Sequence, residues 1–158
     1  MPEVPQAKPV RASRISLAQL MQPEHANTLG DVHGGWIMKL VDEAGALTCM
    51  RHAQRRVVTV AIDSMSFRNP IKIGDLVLLS AEVTYVGHTS MEAEVLVHTE
   101  NPISAERIET NTAYLVYVAL DDSGKPVAVP PLLAESAEEK LKLAEARERQ
   151  ARRLAAKK

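Results

Sequence analysis

The spacing of hydrophobic and polar positions changes along this chain, and each change predicts a different kind of element. From Gly34 to about residue 52 nearly every face of a helix would be apolar, which is typical of a helix buried inside a protein. The polar, glycine-punctuated stretch 27–33 before it predicts an irregular loop. Elsewhere the apolar residues are β-branched or alternate with polar ones, which indicates strands.

The strand-like runs are separated by turn signals at Pro23, Asn69-Pro70, Asn101-Pro102 and Asp121–Gly124. Two of the runs flank the short turn Gly87–Ser90 and therefore predict a hairpin. In the second of these, Met91 starts an alternation that puts apolar residues on one face and Glu92, Glu94 and His98 on the other. The predicted strands are 10–21, 57–67, 76–86, 91–99 and 107–120.

One apolar helix among these strands predicts an α+β fold. An open sheet face cannot cover all sides of such a helix, so we expect an antiparallel sheet of about five to six strands wrapped around it. The uncovered side of the helix and the long sheet edges favour self-association. Residues 11–132 form the predicted domain, and residues 1–10, which carry Pro2, Pro5 and Pro9, form a flexible arm.

Residues 133–158 are rich in Ala, Glu, Lys and Arg and predict an extra C-terminal helix. Ser136 and Glu139 match a capping box at its start, and the acidic-then-basic order suits the helix dipole. Its apolar stripe is thin, so a solvated or partly frayed helix is the favoured interpretation. Packing on a neighbouring subunit, or a basic end near a phosphate, is the alternative.

Composition narrows the function classes. The 158 residues are 46% hydrophobic with a net charge of −1, so neither nucleic acid nor an anionic membrane is an expected partner. No run approaches about 18 apolar residues. The single cysteine, Cys49, excludes an intramolecular disulfide, favours the cytoplasm and lies among apolar neighbours as an inert buried thiol. His25, Asp31 and His33 match no usual zinc spacing, so no metal is expected.

Asp42 is the polar residue that this helix does not need for packing. A buried aspartate requires a partner or a function. The amides of Gly34 and Gly35 at the helix start have no intrahelical partner and form a donor site for an oxyanion. A carboxylate near such donors suits water activation or direct attack on an activated acyl group. The alternative is an ion pair with Arg51, Arg55 or Arg56.

Asn27 offers a neutral amide in the loop before the helix. An amide there can orient water or polarise a carbonyl without adding charge. Asparagine is equally common as a turn residue, and both interpretations stay open on the local sequence. Asp31, in the same loop, is assigned to the loop or the helix N-terminus rather than to chemistry.

These residues form an ordered pattern: Asn27-x-x-Gly30-x-x-His33-Gly-Gly-x-x-Met38-x-x-x-Asp42, then Val57-Val-Thr-Val and Ser64-Met-x-Phe67. The pattern resembles the hotdog-fold acyl-CoA thioesterases, in the branch that contains the bacterial YciA-type enzymes and the brain-type cytosolic acyl-CoA hydrolase. It continues through Pro70-Ile-x-x-Gly74-Asp and Val86-Gly-x-Thr-Ser90 and covers roughly residues 12–130.

The resemblance implies hydrolysis of acyl-CoA to fatty acid and coenzyme A, with Asp42 as base or nucleophile. It implies that Asn27 and Asp42 come from opposite subunits of a hotdog dimer, which assembles further as a trimer of dimers. The backbone amide of Gly35 is then the oxyanion donor. Coenzyme A enters as part of the substrate, and no separate cofactor is expected.

The resemblance also implies substrate contacts, each with a plainer alternative. His33 and Gly34 lie at the helix start, and Met65 and Phe67, taken as strand residues, would shape the pantetheine tunnel unless they only pack in the core. Thr89 and Ser90 would bind the nucleotide end unless they only form the turn. His88 stands where relatives often carry Arg, which puts the phosphate contacts there in doubt.

Two other functions remain alternatives at this point. A hotdog hydratase or dehydratase pairs a histidine with a carboxylate near the helix start, and His33 keeps that hypothesis open. A non-catalytic hotdog module that binds acyl-CoA and regulates a partner is the other, and the basic tail keeps it open. Release of thiol from acyl-CoA distinguishes hydrolysis from both.

Overall fold

The computed structural model of the protein describes residues 5–63 and 65–157. These residues form two α-helices, two 3-10 turns and seven strands. The helices are α1 (Gly34–Ala53) and α2 (Ala137–Ala156), and the 3-10 turns are Val10–Ala12 and Pro23–His25. The strands are β1 (Lys8–Pro9), β2 (Ile15–Leu20), β3 (Arg56–Ile62), β4 (Leu76–Val86), β5 (Ser90–Glu100), β6 (Arg107–Leu120) and β7 (Leu132–Leu133).

Five of these strands form one antiparallel sheet in the order β2-β4-β5-β6-β3. The consecutive strands β4, β5 and β6 are joined as hairpins, and β2 and β3 are the edges. The predicted bounds of β4 and β6 are confirmed, and the predicted α1 ends within one residue of its observed end. The wrapped α+β fold and its five strands are therefore confirmed.

Two strand predictions are wrong in their bounds. The first strand begins only at Ile15, because Val10–Ala12 forms a 3-10 turn that buries Val10. β3 ends at Ile62, so Met65 and Phe67 lie in an irregular segment and not in a strand. The backbone leaves the β6 ladder after the amide of Asp63 donates to Tyr114 O. Ser64, which belongs to the recognised motif, lies outside the described residues.

α1 lies across the concave face of the sheet, and its inner side supplies much of the core. The residues of α1 buried there are Ile37, Leu40, Val41, Ala44, Gly45, Thr48, Cys49, His52 and Ala53. The sheet does not enclose the helix completely, since Met38 is 44% and Leu47 is 38% exposed. Apolar side chains on two different sides of α1 are thus partly open in the single chain.

The first described residues are joined to the segment after β6. β1 pairs with β7 in a short parallel ladder, and Lys8 Nζ donates to His52 O at 2.8 Å. The His52 ring also bonds to Pro130 O at 2.8 Å. The predicted domain boundaries after residues 10 and 132 remain predictions. The β1–β7 ladder links the predicted N-terminal arm to residues on both sides of the second boundary, Leu132 and Leu133.

α2 packs on the outer face of the sheet, so the expectation of a solvated or frayed helix is wrong. Its predicted capping box is present: Ser136 Oγ accepts the amide of Glu139, and Glu139 reaches back to the Ser136 amide. Four ion pairs hold the helix on the strands, and they are Lys142–Glu82, Lys142–Glu94, Arg149–Glu92 and Arg153–Glu92. The glutamates that alternation placed opposite the apolar face of β5 are therefore covered by basic residues of α2.

Candidate functional site

Asp42 lies two turns into α1, half-buried, and its carboxylate is held by two hydroxyl groups. Thr59 Oγ1 donates to Asp42 Oδ1 at 2.8 Å. Tyr117 Oη lies 2.9 Å from the same oxygen and 3.0 Å from the backbone oxygen of Asp42. Within residues 5–63 and 65–157 Asp42 has no ion pair, so the alternative of an arginine partner is wrong.

The two hydroxyls converge because Thr59 and Tyr117 are direct cross-strand partners of β3 and β6. Both side chains point to the concave face, where α1 lies. The register shifts immediately after Thr59, and such bulges are common beside functional sites. Neither residue was predicted as part of the site, although Thr59 lies within the motif Val57-Val-Thr-Val. The available signal was Tyr117 itself, which places a hydroxyl between Leu115 and Ala119 on the apolar face of its strand.

Asn27 serves the loop through one atom of its amide. Its Oδ1 accepts the backbone amides of Leu29 at 2.9 Å and Asp31 at 3.2 Å, which is the turn role considered for it. Its Nδ2 has no hydrogen-bond partner among the described residues. The Asp31 carboxylate pairs with Lys72, consistent with a loop role for that residue.

Among the described residues, no hydrogen bond or ion pair joins the side chains of Asn27 and Asp42 within one chain. Asn27 precedes the helix, whereas Asp42 lies eight residues beyond its first residue, about 12 Å along the axis. Asp42 thus lies well inside the helix, beyond the loop that carries Asn27.

The helix start is capped by its own histidine. His33 is the N-cap, and its Nδ1 accepts the amide of Gly35 at 3.0 Å. The amide assigned as oxyanion donor thus already has a partner in the free chain. The Phe67 ring covers the adjacent backbone, because a Cβ on Gly34 would lie 3.5 Å from Phe67 Cζ. Met65 is half-buried and packs against the core.

The turn assigned to the nucleotide end lies far from Phe67 in the same chain. Thr89 O accepts the amide of Ala119, and Gly87 donates to Ser90 O across the turn at 2.8 Å, while His88 is exposed. The segment before Phe67 is held by Asn111 Nδ2, which donates to Ser66 O. Asn111 and Ala119 are eight residues apart on β6, roughly 26 Å. One chain does not bring His33, Gly34, Met65 and Phe67 together with His88, Thr89 and Ser90.

An exposed apolar surface lies beside Asp42 and Thr59. β3 is an edge strand whose outer side pairs with nothing in the described chain, and three of its apolar residues are exposed: Val58 at 43%, Val60 at 52% and Ile62 at 43%. We call this set of three residues the β3 face. An exposed apolar edge of this kind is a ready surface for a second strand.

Other candidate chemistry receives no support from the geometry. Cys49 is fully buried, and burial raises the pKa of its thiol well above the usual value. Within the described ranges no group of three or more His, Cys, Asp or Glu side chains has a geometry that could hold a metal ion. No described helix is both long and apolar enough to cross a membrane.

A long helix laid on a curled, five-stranded antiparallel sheet is typical of the hotdog class of folds. The model of the thioesterase superfamily matches residues 29–106. The uncharacterized acyl-CoA thioester hydrolase YkhA of Bacillus subtilis is 36% identical over 87% of this chain and 80% of its own length. The chain belongs to the thioesterase superfamily, in agreement with the resemblance found in its sequence.

The cytosolic acyl coenzyme A thioester hydrolase of Rattus norvegicus is 35% identical over 92% of this chain. The chain spans only 39% of that relative's length. A crystal structure of an apo-hexameric acyl-CoA thioesterase is 40% identical, with a TM-score of 0.91 over 96% of this chain and 97% of the other. The oligomer seen in that structural relative is thus a hexamer.

The acyl-CoA hydrolase of Staphylococcus aureus has been solved with butyryl coenzyme A, coenzyme A and coenzyme A disulfide. It is 35% identical, with a TM-score of 0.88 over 96% of this chain and 92% of that one. Solved variants of that enzyme replace one aspartate, one asparagine or one threonine by alanine. Its aspartate follows the asparagine by fifteen residues and precedes the threonine by seventeen.

Proposed function

We propose that this protein is an acyl-CoA thioesterase that hydrolyses acyl-CoA to a fatty acid and coenzyme A. The observation that carries the proposal is the half-buried Asp42 carboxylate on α1, held by Thr59 and Tyr117 in a thioesterase fold. The relatives named as acyl-CoA hydrolases support the substrate class.

We assign Asp42 and Asn27 as the catalytic pair and Thr59 as a further residue of the site. Asn27, Asp42 and Thr59 have the same spacings, fifteen and seventeen residues, as the three positions replaced in the Staphylococcus aureus enzyme. The hydrogen bond from Thr59 to Asp42 gives that third position a physical role, since a donor to one carboxylate oxygen fixes the direction of the other.

In the proposed reaction the thioester carbonyl lies near the start of α1 of one copy of the chain. Asp42 of a second copy acts at the carbonyl carbon, because Asp42 lies about 12 Å from the helix start of its own chain. As a general base, Asp42 takes a proton from water while the water oxygen attacks the carbonyl carbon. The C–S bond then breaks, and the thiolate of coenzyme A leaves with a proton. As a nucleophile, Asp42 forms an acyl-carboxylate anhydride that water hydrolyses. Single-turnover hydrolysis in ¹⁸O water distinguishes the two, because only the nucleophilic route transfers solvent oxygen into Asp42 when water attacks its carboxyl carbon.

The amide of Gly35 stabilises the developing oxyanion in this scheme. In the free chain that amide donates to His33 Nδ1, so the substrate oxygen has to replace the imidazole or share the hydrogen. Phe67 and Met65 flank the same helix start and shape the acyl or pantetheine passage. Asn27 Nδ2 supplies a neutral donor that places the water or the carbonyl oxygen.

We further propose that the active site is shared between two copies of the chain that meet along the β3 face. Two distances within one chain support this arrangement. Asp42 lies about 12 Å along α1 from the helix start, which follows the Asn27 loop, and the Gly87–Ser90 turn lies far from Phe67. In the shared site, His88, Thr89 and Ser90 contact the nucleotide end of coenzyme A. The dimers assemble as a trimer of dimers, as the hexameric relatives suggest. The cytosolic naming of the mammalian relatives supports a cytoplasmic location.

A panel of acyl-CoA substrates of increasing chain length tests the activity by release of free thiol. We expect hydrolysis by the wild type and a loss of at least about 100-fold in kcat for Asp42→Ala. Binding of acyl-CoA without any thiol release would indicate a regulator instead of an enzyme. Full activity in Asp42→Ala would overturn the site but leave the family assignment intact.

Asn27 has a matched control in Asn101, whose Oδ1 likewise accepts two backbone amides, from Ile103 and Ser104, in an exposed loop. Asn27→Ala and Asn101→Ala remove the same kind of turn contact. We expect only Asn27→Ala to lose activity, because only Asn27 belongs to the site. Equal losses in both variants would reduce Asn27 to a turn residue.

Mixing two inactive proteins tests the shared site. Asn27→Ala and Asp42→Ala subunits are unfolded together, refolded as a mixture and assayed. Mixed dimers contain one intact site if the pair spans the interface, so we expect about a quarter of wild-type activity from random pairing. No recovery would place both residues of each site in one chain.

A further inference from the structure

The two hydroxyl groups at Asp42 contact the same carboxylate oxygen. Thr59 and Tyr117 both lie at hydrogen-bond distance from Oδ1, at 2.8 and 2.9 Å. Among the described residues Oδ2 has no hydrogen-bond partner. The carboxylate is thus held at one oxygen and leaves the other for a water or an acyl group.

Tyr117 differs from Thr59 in that it is completely buried. Its hydroxyl has one proton and lies between Oδ1 and the backbone oxygen of Asp42, at 2.9 and 3.0 Å. Burial first, and then the Asp42 charge, raise the pKa of Tyr117 well above its usual value of 10. The phenol therefore stays a donor throughout the pH range in which an enzyme works. It contacts both the side chain and the main chain of the residue it holds.

Gly45 makes room for this contact. It is one turn beyond Asp42 in α1, and a Cβ added there would lie 2.4 Å from Tyr117 Oη, 3.0 Å from Cε2 and 3.1 Å from Cζ. A glycine inside a helix weakens it, so its presence needs a structural reason. The absence of a side chain at Gly45 is what allows the phenol to reach Asp42.

We propose that Tyr117 is a positioning residue for Asp42, and that Gly45 provides the space that this positioning requires. The proposal rests on the proposed thioesterase function for its kinetic consequence only. In this arrangement Tyr117 helps to fix which oxygen of the Asp42 carboxylate faces the substrate. Without Tyr117, Oδ1 keeps a single hydrogen bond, from the exposed Thr59, in place of two.

The test is Tyr117→Phe, which removes one oxygen atom and keeps the buried ring. We expect kcat to fall about 10- to 100-fold, as for loss of a hydrogen bond to a charged group, with KM changed by less than about 2-fold. The acidic limb of the kcat/KM profile is expected to move to higher pH, because one donor to the carboxylate is lost. A purely structural role for Tyr117 would leave that limb in place.

Tyr114→Phe is the matched control. Tyr114 lies three residues before Tyr117 on β6, so its side chain points to the outer face of the sheet. Its hydroxyl also contacts a carboxylate, Glu94 Oε2, at 3.1 Å. We expect Tyr114→Phe to keep kcat and the pH profile of the wild type. Equal kinetic losses in both variants, or no loss in Tyr117→Phe, would overturn the proposal.

Gly45→Ala is a second way to remove the contact between the Tyr117 hydroxyl and Asp42. The added methyl group displaces the phenol, so we expect a similar loss of kcat. In the Tyr117→Phe background the same substitution is expected to cost less, because the closest contact, with Oη, is gone. Strictly multiplicative losses would show that Gly45 does not act through Tyr117.

A crystal structure of Tyr117→Phe separates this proposal from the proposed function. We expect the Asp42 carboxylate to rotate or to adopt more than one orientation, with Thr59 as its remaining partner. An unchanged carboxylate overturns the positioning role even if the wild type proves to hydrolyse no acyl-CoA. A rotated carboxylate in a protein without thioesterase activity would support the positioning role and refute the function.

Discussion

Removal of the Glu92 carboxylate is predicted to be among the most destabilising single changes on the outer face of the sheet. Glu92 is fully buried on β5 beneath α2. Arg149 donates to both of its oxygens, at 2.7 and 3.0 Å, Arg153 donates at 3.0 Å and Thr84 donates at 2.6 Å. Glu92→Ala leaves Arg149 without its anion and leaves Arg153 with Asp63 alone.

The size of the effect follows from the burial of the partners. Breaking a buried ion pair by removing one partner costs about 3–5 kcal/mol. The side chains of Arg149 and Arg153 are 13% and 14% exposed, so both recover part of their hydration after the change. We therefore expect a loss near the lower limit, about 3 kcal/mol, which corresponds to a fall in Tm of about 6–12 °C for a domain of this size.

Urea unfolding and thermal scans measure this loss. Both need a fixed protomer concentration, since any assembly adds to the apparent stability. The matched control is Glu138→Ala, which also removes a glutamate near a cation of α2, Lys142 at 3.5 Å, but from a side chain that is 78% exposed. That control is expected to cost less than about 0.5 kcal/mol.

Two results would refute the reasoning. One is a cost for Glu92→Ala within about 1 kcal/mol of that for Glu138→Ala, which would mean that the buried pairs contribute little. The other is a triple variant, with Met in place of Glu92, Arg149 and Arg153, that is as unstable as Glu92→Ala. Well-packed apolar replacements of a buried ionic cluster are often neutral or stabilising, so the triple variant is expected to recover most of the loss.

Three further predictions concern the site, the edge strand and the response to pH. Thr59→Ala removes one donor to Asp42, and we expect kcat in the thiol-release assay to fall about 10-fold, whereas Thr59→Ser keeps most of it. Val60→Lys places a charge on the β3 face, and we expect light scattering to show smaller assemblies that also lose activity. Burial lowers the pKa of His52 below 6.5, so its contribution to stability is present above about pH 6.5 and is lost as pH falls towards the lower pKa of the folded state.

Each of these predictions has an outcome that contradicts it. Full activity in Thr59→Ala would show that its bond to Asp42 is incidental. Intact assembly of Val60→Lys would place the interface elsewhere. For His52, His52→Gln is expected to show a smaller loss of unfolding free energy between pH 7.5 and 5.5 than the wild type. Identical pH slopes in the two proteins would contradict the buried neutral imidazole.

Local signals in the sequence were sufficient for much of the fold. The apolar run after Gly34 defined α1, and the Ser136 capping box marked the start of α2, because both depend on neighbours a few residues away. The end of β3 was missed because Met65, Ser66 and Phe67 continue an apolar–polar alternation while the backbone leaves the ladder after Asp63. Strand propensity does not report where a ladder partner ends.

The site was predicted only in part, for a similar reason. Asp42 could be identified because a carboxylate in an apolar helix is anomalous in the sequence itself. Thr59 and Tyr117 are unremarkable within their strands, and their role depends on a cross-strand register between residues far apart in the chain. The docking of α2 was missed in the same way, since Glu92 reads as solvent-facing until the basic residues of the distant helix cover it.

The exposed edge of β3 also bears on what happens to the protein before it assembles. Val58, Val60 and Ile62 present an unpaired apolar strand next to Thr59 in the isolated subunit. Such an edge is a template for aggregation as well as for correct pairing. A newly made chain that lacks a partner is thus both inactive in the proposed scheme and exposed to mispairing. Rapid assembly would therefore protect the pool of free chains from aggregation, and the solubility of the protein would depend on how quickly copies meet.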